Sequence, residues 1–391
     1  MQHIFKEKTL LTMKFIINSQ VFAKNLQALS GVLTTNNNVP IISCFHFNLE
    51  DKLLTVKATD LETTVTTTIE LDEAESDSLS QIAVPAKKLI DIIKSVSDEP
   101  ITFTVDESTF GVELLSREGQ YRLAGQNPES FPAMQPKGET NSVTISASAL
   151  VNAITKTTFA ASNDDMHQQM SGIFCELTPE HTTFVATDAH KLVRYRRLDV
   201  VTDEPKSFIF SKKPINLVKN ILSANKEECD VTVEYNNTNV FFSFGNMFVA
   251  CRLVDGKYPD YERAIPKENP YRLTLDRASF LNSLRRVSIF ANETTHQVRI
   301  KTGGNEVIIS AEDVDFSNDA RERLACEYEG EPMEIGFNAR FLLEMISNLD
   351  SETIVMQLSH PSRAGIITPV VDDENKEDIL MLVMPVMLAG S

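Results

Sequence analysis

The sequence repeats one pattern three times at the spacing of a domain. KFIINSQVFAKNLQAL (residues 14–29), VTISASALVNAI (143–154) and RLTLDRASFLNSL (272–284) each run from apolar residues through small and polar ones into a stretch with helical apolar spacing. Aligned on Phe22, Leu150 and Phe280, the copies stand 128 and 130 residues apart. A second element keeps the same phase: VPAKKLIDIIKSV, FSKKPINLVKNIL and FNARFLLEMISNL begin at Val84, Phe210 and Phe337, 126 and 127 apart. A third, RLAGQNPESFPAMQPK from Arg122, echoes RLVDGKYPDYERAIPK from Arg252 at an offset of 130. An interval of that size is a domain and not a solenoid turn. Three elements in one order at one period predict three tandem copies of a fold, a plan better suited to a scaffold than to an enzyme with one active site.

Between the helical stretches the chain alternates polar and apolar residues over short runs rich in Thr, Val, Ile and Phe, as in LLTVKATDLETTVTTTIEL (53–71), ITFTVDESTFGVELL (101–115) and QVRIKTGGNEVIISAED (297–313). Alternation at period two predicts strands, and Asn236-Asn237 and Gly303-Gly304 predict hairpin turns. Each repeat is expected to be α+β, two helices against antiparallel sheets of roughly eight strands. Pro- and charge-rich segments separate the copies. The expected divisions are an N-terminal extension over 1–12, an unstructured tail or upstream start, and domains over 13–138, 139–268 and 269–391.

A chain of 391 residues is too long for one core. No run of 18 apolar residues is present, so no membrane helix is expected. The N-terminal stretch lacks the continuous apolar core of a signal peptide. Five cysteines, Cys44, Cys175, Cys229, Cys251 and Cys326, are scattered without a Cys-x-x-Cys pair. They are read as free buried thiols in a reducing cytoplasm.

The net charge of −18 argues on its own against nucleic acid. Its distribution argues the other way. The six helical stretches, residues 19–33, 85–96, 148–163, 211–224, 276–291 and 338–349, hold twelve basic residues and three acids, so all the rest carries −27. A solvated face accounts for any one basic helix. Six in phase, if they share a surface, would attract phosphate loosely, in a salt-sensitive way, without reading sequence.

MKFIINSQ from Met13, VPAKKL, ATDAHKL (186–192), LVDGKYPDY (253–261), MEIGFNARFLLEMI (333–346) and the closing LVMPVML (382–388) are similar to the bacterial replicative sliding clamp, the β subunit of DNA polymerase III. The resemblance runs from Met13 to Leu388. It implies a head-to-tail homodimer forming a six-domain ring, with helices lining a hole through which double-stranded DNA slides. It also implies cytoplasmic location, no cofactor, no membrane, and no chemistry of its own. The clamp would tether the polymerase. Lys24, Lys87, Lys88, Lys94, Lys156, Lys212, Lys213, Lys219, Arg285 and Arg286 would then face DNA, and Tyr121 would meet Ile289 and Phe290 across the dimer seam.

The same resemblance implies a pocket for short peptides of the replicative polymerase α subunit, the clamp loader, and other polymerases and repair proteins. Carried over position by position, its residues are Met170, Thr187, His190, Lys191, Leu192, Pro259, Arg263, Asn338, Phe341, Ser362, Val383, Met384, Pro385, Val386 and Met387. Methionine and valine walls with few polar anchors suit an adaptable apolar socket. Without the resemblance, VMPVML reads as an ordinary edge strand. Ala189 stands where the family often has Gly, Lys191 where it often has Arg, and Asn36 where well-known clamps place an Arg on DNA. Ala389-Gly390-Ser391 extends past the usual end.

Two other readings compete. A hydrolase built on Asp188 and His190 would need a converging nucleophile, and the chain has no G-x-S-x-G elbow. A scaffold that binds only protein would not need its helices to be basic. Zinc spacings and phosphate-binding glycine loops are absent from the sequence.

Overall fold

In three of the repeated helix patterns the polar residue that opens the helix is its cap, whereas the helix after Pro85 has no side-chain cap. In the computed structural model, which describes residues 12–34, 39–76, 80–134, 137–225, 227–372 and 375–388, Asn18 Oδ1 accepts from the amides of Gln20 and Val21. Asp276 does the same for Ser279 and Asn338 for Arg340. Such a cap satisfies amides that the first helical turn leaves without partners, worth about 1 kcal/mol each. The aligned apolar residues Phe22, Leu150 and Phe280 are all buried. The expectations placed on residues 1–11, on Asn36 and on 389–391 lie outside the described residues.

The first repeat runs β1 (Thr12–Asn18), α1 (Ser19–Ser30), β2 (Cys44–Glu50), β3 (Leu53–Thr59), β4 (Thr63–Glu70), β5 (Glu73–Ser76), β6 (Gln81–Pro85), α2 (Ala86–Ser95), β7 (Pro100–Asp106), β8 (Gly111–Leu115) and β9 (Gln120–Ala124). The second has β10 (Asn141–Ser146), α3 (Ala147–Thr158), β11 (Ile173–Leu177), β12 (Thr182–Thr187), β13 (Lys191–Arg197), β14 (Lys206–Phe210), α4 (Lys212–Ala224), β15 (Asp230–Tyr235), β16 (Asn239–Phe244) and β17 (Met247–Arg252). The third has β18 (Tyr271–Asp276), α5 (Arg277–Ser288), β19 (Gln297–Gly303), β20 (Glu306–Asp313), β21 (Asn318–Ala325), β22 (Glu327–Glu329), β23 (Met333–Asn338), α6 (Ala339–Ser347), β24 (Thr353–Leu358), β25 (Gly365–Pro369) and β26 (Glu377–Val383). The α+β expectation therefore holds, with both predicted hairpin turns in place between β15 and β16 and between β19 and β20.

Contacts divide the chain into two compact units, residues 1–147 with 220–252, and residues 148–219 with 253–391. The first unit holds a five-stranded sheet, β5-β1-β7-β8-β9, and an eight-stranded sheet, β10-β15-β16-β17-β4-β3-β2-β6. Phe15 and Phe103 stack at 4.6 Å in its core, and Phe22 meets both edge-on. The second unit holds a nine-stranded sheet, β14-β11-β12-β13-β26-β25-β24-β18-β22, and a four-stranded one, β21-β20-β19-β23.

The unit boundaries cut across the repeats because the large sheets do. In the first unit β4 of repeat one pairs antiparallel with β17 of repeat two, Thr63 opposite Cys251. Within the second unit β13 pairs with β26 in the equivalent way, Lys191 opposite Val383. Asn246 fastens the first of these junctions, its amide donating to Asn25, Thr67 and Thr68.

Three of the five thiols, Cys44, Cys175 and Cys251, are buried as expected, and burial pushes each above its ordinary pKa. Cys229 and Cys326 correct that expectation, being half-exposed and free. No helix among the described residues is long and apolar enough to cross a membrane.

Candidate functional site

The site is built on the tight turn that joins β12 to β13. Thr187 Oγ1 donates to the Lys191 carbonyl at 2.7 Å and accepts from the Ala189 amide. Asp188 Oδ1 accepts from the amides of His190 and Lys191 at 2.9 and 2.8 Å. The turn forces Ala189 to φ +71°, a left-handed conformation that glycine adopts freely and alanine does not. Ala189→Gly is therefore expected to raise stability by about 0.5–1 kcal/mol, read as a higher urea midpoint at unchanged slope.

The C-terminal segment is laced to this turn. The Met384 amide donates to the His190 carbonyl at 2.8 Å, and the Val386 amide to the Gly336 carbonyl at 2.8 Å. A Cβ on Gly336 would lie 2.6 Å from the Val386 oxygen, so the close approach requires glycine there. Behind the turn the Lys191 ammonium is buried, 2.7 Å from Glu344 and 3.3 Å from Asp188. It sits 4.6 Å from the Phe341 ring centroid, and the exposed His190 ring stacks on the same phenyl at 6.2 Å and 18°. The aromatic face and two carboxylates hold the cation in place.

Beside the turn opens a cleft of about 480 Å³ lined by Ala264, Pro266, Lys267, Glu268, Ser362, Arg363, Ala364 and Met384. Beneath lies an apolar cluster that includes Leu192, Tyr258, Tyr261, Ala364 and Leu382. Tyr258 stacks on Phe174 at 4.9 Å, and burial pushes the Tyr261 phenol up to about 12.

The expected pocket residues fall into two groups. His190, Phe341, Ser362, Met384, Pro385, Val386 and Met387 keep some surface at or near the cleft, whereas Thr187, Lys191, Leu192 and Val383 are buried and shape it from behind. Asn338 caps α6 beside them. Pro259 and Arg263 are exposed, Arg263 bridging to Asp260 at 2.7 Å. Met170 is half-buried, its carbonyl accepting from the Ser162 amide. Sequence reasoning missed Ala264, Pro266, Lys267, Glu268, Arg363, Ala364 and the Glu344 anchor. The available signal is the IPK that closes the repeated segment RLVDGKYPDYERAIPK, which the sequence presents as a repeat and not as a cleft wall. The hydrolase reading loses its base-orienting acid, because Asp188 is committed to the turn amides and to Lys191.

Among the helix cations, Lys24, Lys87, Lys88, Lys94, Lys213 and Arg285 are exposed, while Lys219 and Lys212 are half-exposed. Lys212 donates to Asn163 at 2.8 Å, and Arg286 is held by Glu322 in a bidentate pair at 2.7 and 2.6 Å. Lys156 corrects the expectation of a DNA-facing lysine. It is only 8% exposed, with its ammonium 2.9 Å from Asp350 and 3.0 Å from Glu377. Burial alone would depress the Lys156 pKa, but those carboxylates outweigh it and hold the group above its ordinary value.

Burial alone would raise the Glu377 carboxyl, but its ion pairs with Lys156 and Arg197, each at 3.0 Å, outweigh that and hold it below its ordinary 4.5. A depressed acid stabilises the fold above its unfolded pKa and loses that contribution as pH falls through its folded value. Urea midpoints of the wild type should thus drop as pH falls below about 4.5, and those of Glu377→Gln should drop less.

Three family models match this chain in tandem: the N-terminal domain of the DNA polymerase III beta subunit over residues 13–135, its central domain over 144–260 and its C-terminal domain over 262–385. The beta sliding clamp of Vibrio cholerae is 27% identical over 378 residues, covering 96% of this chain and 100% of that protein. A Pseudomonas aeruginosa sliding clamp bound to griselimycin superposes with a TM-score of 0.90 at 26% identity, covering 96% of this chain and 100% of that one. The clamp of Bartonella birtlesii, also bound to griselimycin, gives 0.86 at 29% identity over 96% of this chain and 100% of its own. With all three domains of one family in order along it, this chain belongs to the family of the DNA polymerase III β subunit, the bacterial sliding clamp.

Proposed function

We propose that this chain is a DNA sliding clamp that works as a head-to-tail dimer around duplex DNA and tethers the replicative polymerase in the cytoplasm. It does so without catalysis of its own. The observation that carries this is the pair of strands left over by the repeat. At both internal junctions the third strand of a repeat's four-stranded element pairs with the last strand of the next repeat. By the same rule β21 of repeat three needs the last strand of a following repeat, and β9 of repeat one needs the strand of a preceding one. Both are sheet edges. A second copy supplies both, making a heterologous contact that closes on itself instead of growing into a filament.

The two junctions also support one register for that contact. Thr63 opposite Cys251 is structurally equivalent to Lys191 opposite Val383. Carried through the hairpin registers, the equivalent residues of the seam are Asn318 and Leu123 of the two copies. Tyr121 then opposes Ala320, and Arg122 opposes Asp319 with opposite charge. Ile289, 77% exposed, and Phe290, at 39%, stand at the end of α5 in the same repeat as β21. Burying them with Tyr121 in the seam explains apolar side chains otherwise left in water.

On this reading the repeats are domains meeting near residues 138 and 268. Lys24, Lys87, Lys88, Lys94, Lys213, Lys219 and Arg285 supply a sequence-blind, salt-sensitive attraction for phosphate in the hole. Lys212 and Arg286 contribute less, being engaged with Asn163 and Glu322. The cleft at Met384 takes extended apolar peptides of the polymerase α subunit, the clamp loader and repair proteins. The relatives bound to griselimycin make that compound a ready competitor. Light scattering tests the assembly: the account expects twice the chain mass of 43.7 kDa, and a stable monomer at micromolar concentration overturns it.

A further inference from the structure

The construction of the cleft at Met384 occurs a second time. Thr59-Asp60-Leu61-Glu62 precedes Thr187-Asp188-Ala189-His190 by 128 residues and folds into the same turn. Thr59 Oγ1 donates to the Thr63 carbonyl and accepts from the Leu61 amide, while Asp60 Oδ1 accepts from the amides of Glu62 and Thr63. The Arg252 amide donates to the Glu62 carbonyl at 3.0 Å, as Met384 does to His190 at 2.8 Å. Leu61 takes the left-handed place of Ala189, at φ +79°.

Around this turn lies a cleft of about 330 Å³. Three of its wall segments correspond to those of the first, and the turn itself, through Thr59, Leu61, Glu62 and Thr64, adds a fourth. Pro132, Ala133 and Met134 come from the segment that follows β9, as Ala264 and Pro266 come from the segment that follows β17. Thr238 and Asn239 enter β16 as Arg363 and Ala364 enter β25, and Arg252 stands where the first cleft has Met384. The side chains differ in a way that points to a ligand. Leu61 is 55% exposed and Met134 40%, so two large apolar groups face water at the mouth. A leucine held both exposed and in the left-handed region is unfavourable on two counts without a binding partner. The first cleft's walls hold Lys267 and Arg363 against Glu268, whereas this one holds Arg252 against the exposed Glu62, so it is poorer by one positive charge.

We propose that this cleft is a second peptide-docking site, which takes a short extended segment with an apolar anchor flanked by lysine or arginine. The inference rests on reading the first cleft as a peptide pocket. The repeated turn supplies the same backbone frame, Leu61 and Met134 supply the apolar walls, and Glu62 in place of His190 supplies the preference for a basic flank.

The test uses the full-length protein and a fluorescein-labelled pentapeptide, Lys-Leu-Ser-Leu-Phe, followed by anisotropy. Two binding phases are expected. Met384→Glu should remove the one belonging to the first cleft and leave the other. Leu61→Gly should weaken that remaining phase at least tenfold while leaving the first cleft's phase unchanged. Because glycine relieves the left-handed strain, the variant should be no less stable by urea titration, which separates lost binding from lost fold. Replacing the peptide's Lys by Glu should weaken the second phase about threefold, the size of an exposed ion pair. A Leu61→Gly protein that retains every phase overturns the second site, whatever Met384→Glu does. An Met384→Glu protein that retains every phase overturns the first.

Discussion

Arg321→Pro is expected to turn the dimer into a monomer while leaving the fold intact. The position follows from the hydrogen-bond alternation at the two internal junctions. Asp60 N donates to the Thr63 carbonyl and Asp188 N to the Lys191 carbonyl, so Thr63 and Lys191 turn their backbone toward their own hairpin. The next residues, Thr64 and Leu192, turn toward the neighbouring repeat. The equivalents of Thr64 and Thr66 on β21 are Asp319 and Arg321, whose amides point out of the sheet edge. Proline at Arg321 deletes one of those amides without touching the ladder to β20. The loss is about 1–3 kcal/mol for the deleted bond and the carbonyl left without a donor, hence roughly five- to a hundredfold in the dimer dissociation constant. Mass by light scattering should fall from twice to once 43.7 kDa, with the urea midpoint of the protomer nearly unchanged. Tyr121→Glu should act in the same direction by placing a charge opposite Ala320. A dimer that survives both variants would place the seam elsewhere.

Met384→Glu is expected to lower affinity for an apolar peptide at least about tenfold, since it replaces an apolar wall by a carboxylate that the peptide must desolvate, with Lys267 and Arg363 of the same lining offsetting only part of that cost. Met384 lines the cleft, and its backbone is fixed by His190, so the substitution changes the wall without moving it. Titration of a labelled peptide reads the effect. Unaltered affinity would move the peptide site away from β26.

Much of this was legible before any coordinates. The period of about 128 residues predicts three copies, and the helix patterns hold because their apolar stripe is a core and, at Asn18, Asp276 and Asn338, their polar first residue is a cap. What could not be read was the way repeats fuse. Sheet continuity between β4 and β17 depends on edge strands whose alternation looks like that of any other strand, so the sequence does not show that the compact units follow the large sheets across the three repeats. Lys156 misled for a related reason. A lysine near the end of an amphipathic helix resembles a solvated cation until Asp350 and Glu377, nearly 200 and more than 200 residues away, fold onto it. The cleft was legible only through resemblance, since Ser362, Met384 and Ala264 lie far apart in sequence and none bears chemistry that stands out alone.

The account stands or falls on whether two copies close around DNA. The direct measurement is retention of the protein on a nicked circular duplex and on the same duplex linearised, after loading with clamp loader and ATP and a wash at 0.5 M salt to strip electrostatic binding, about five times the ionic strength at which the screening length is ~10 Å. A topological ring remains on the circle and slides off the linear ends, and Arg321→Pro remains on neither. Equal loss of the wild type from both forms, or equal retention on both, would contradict it.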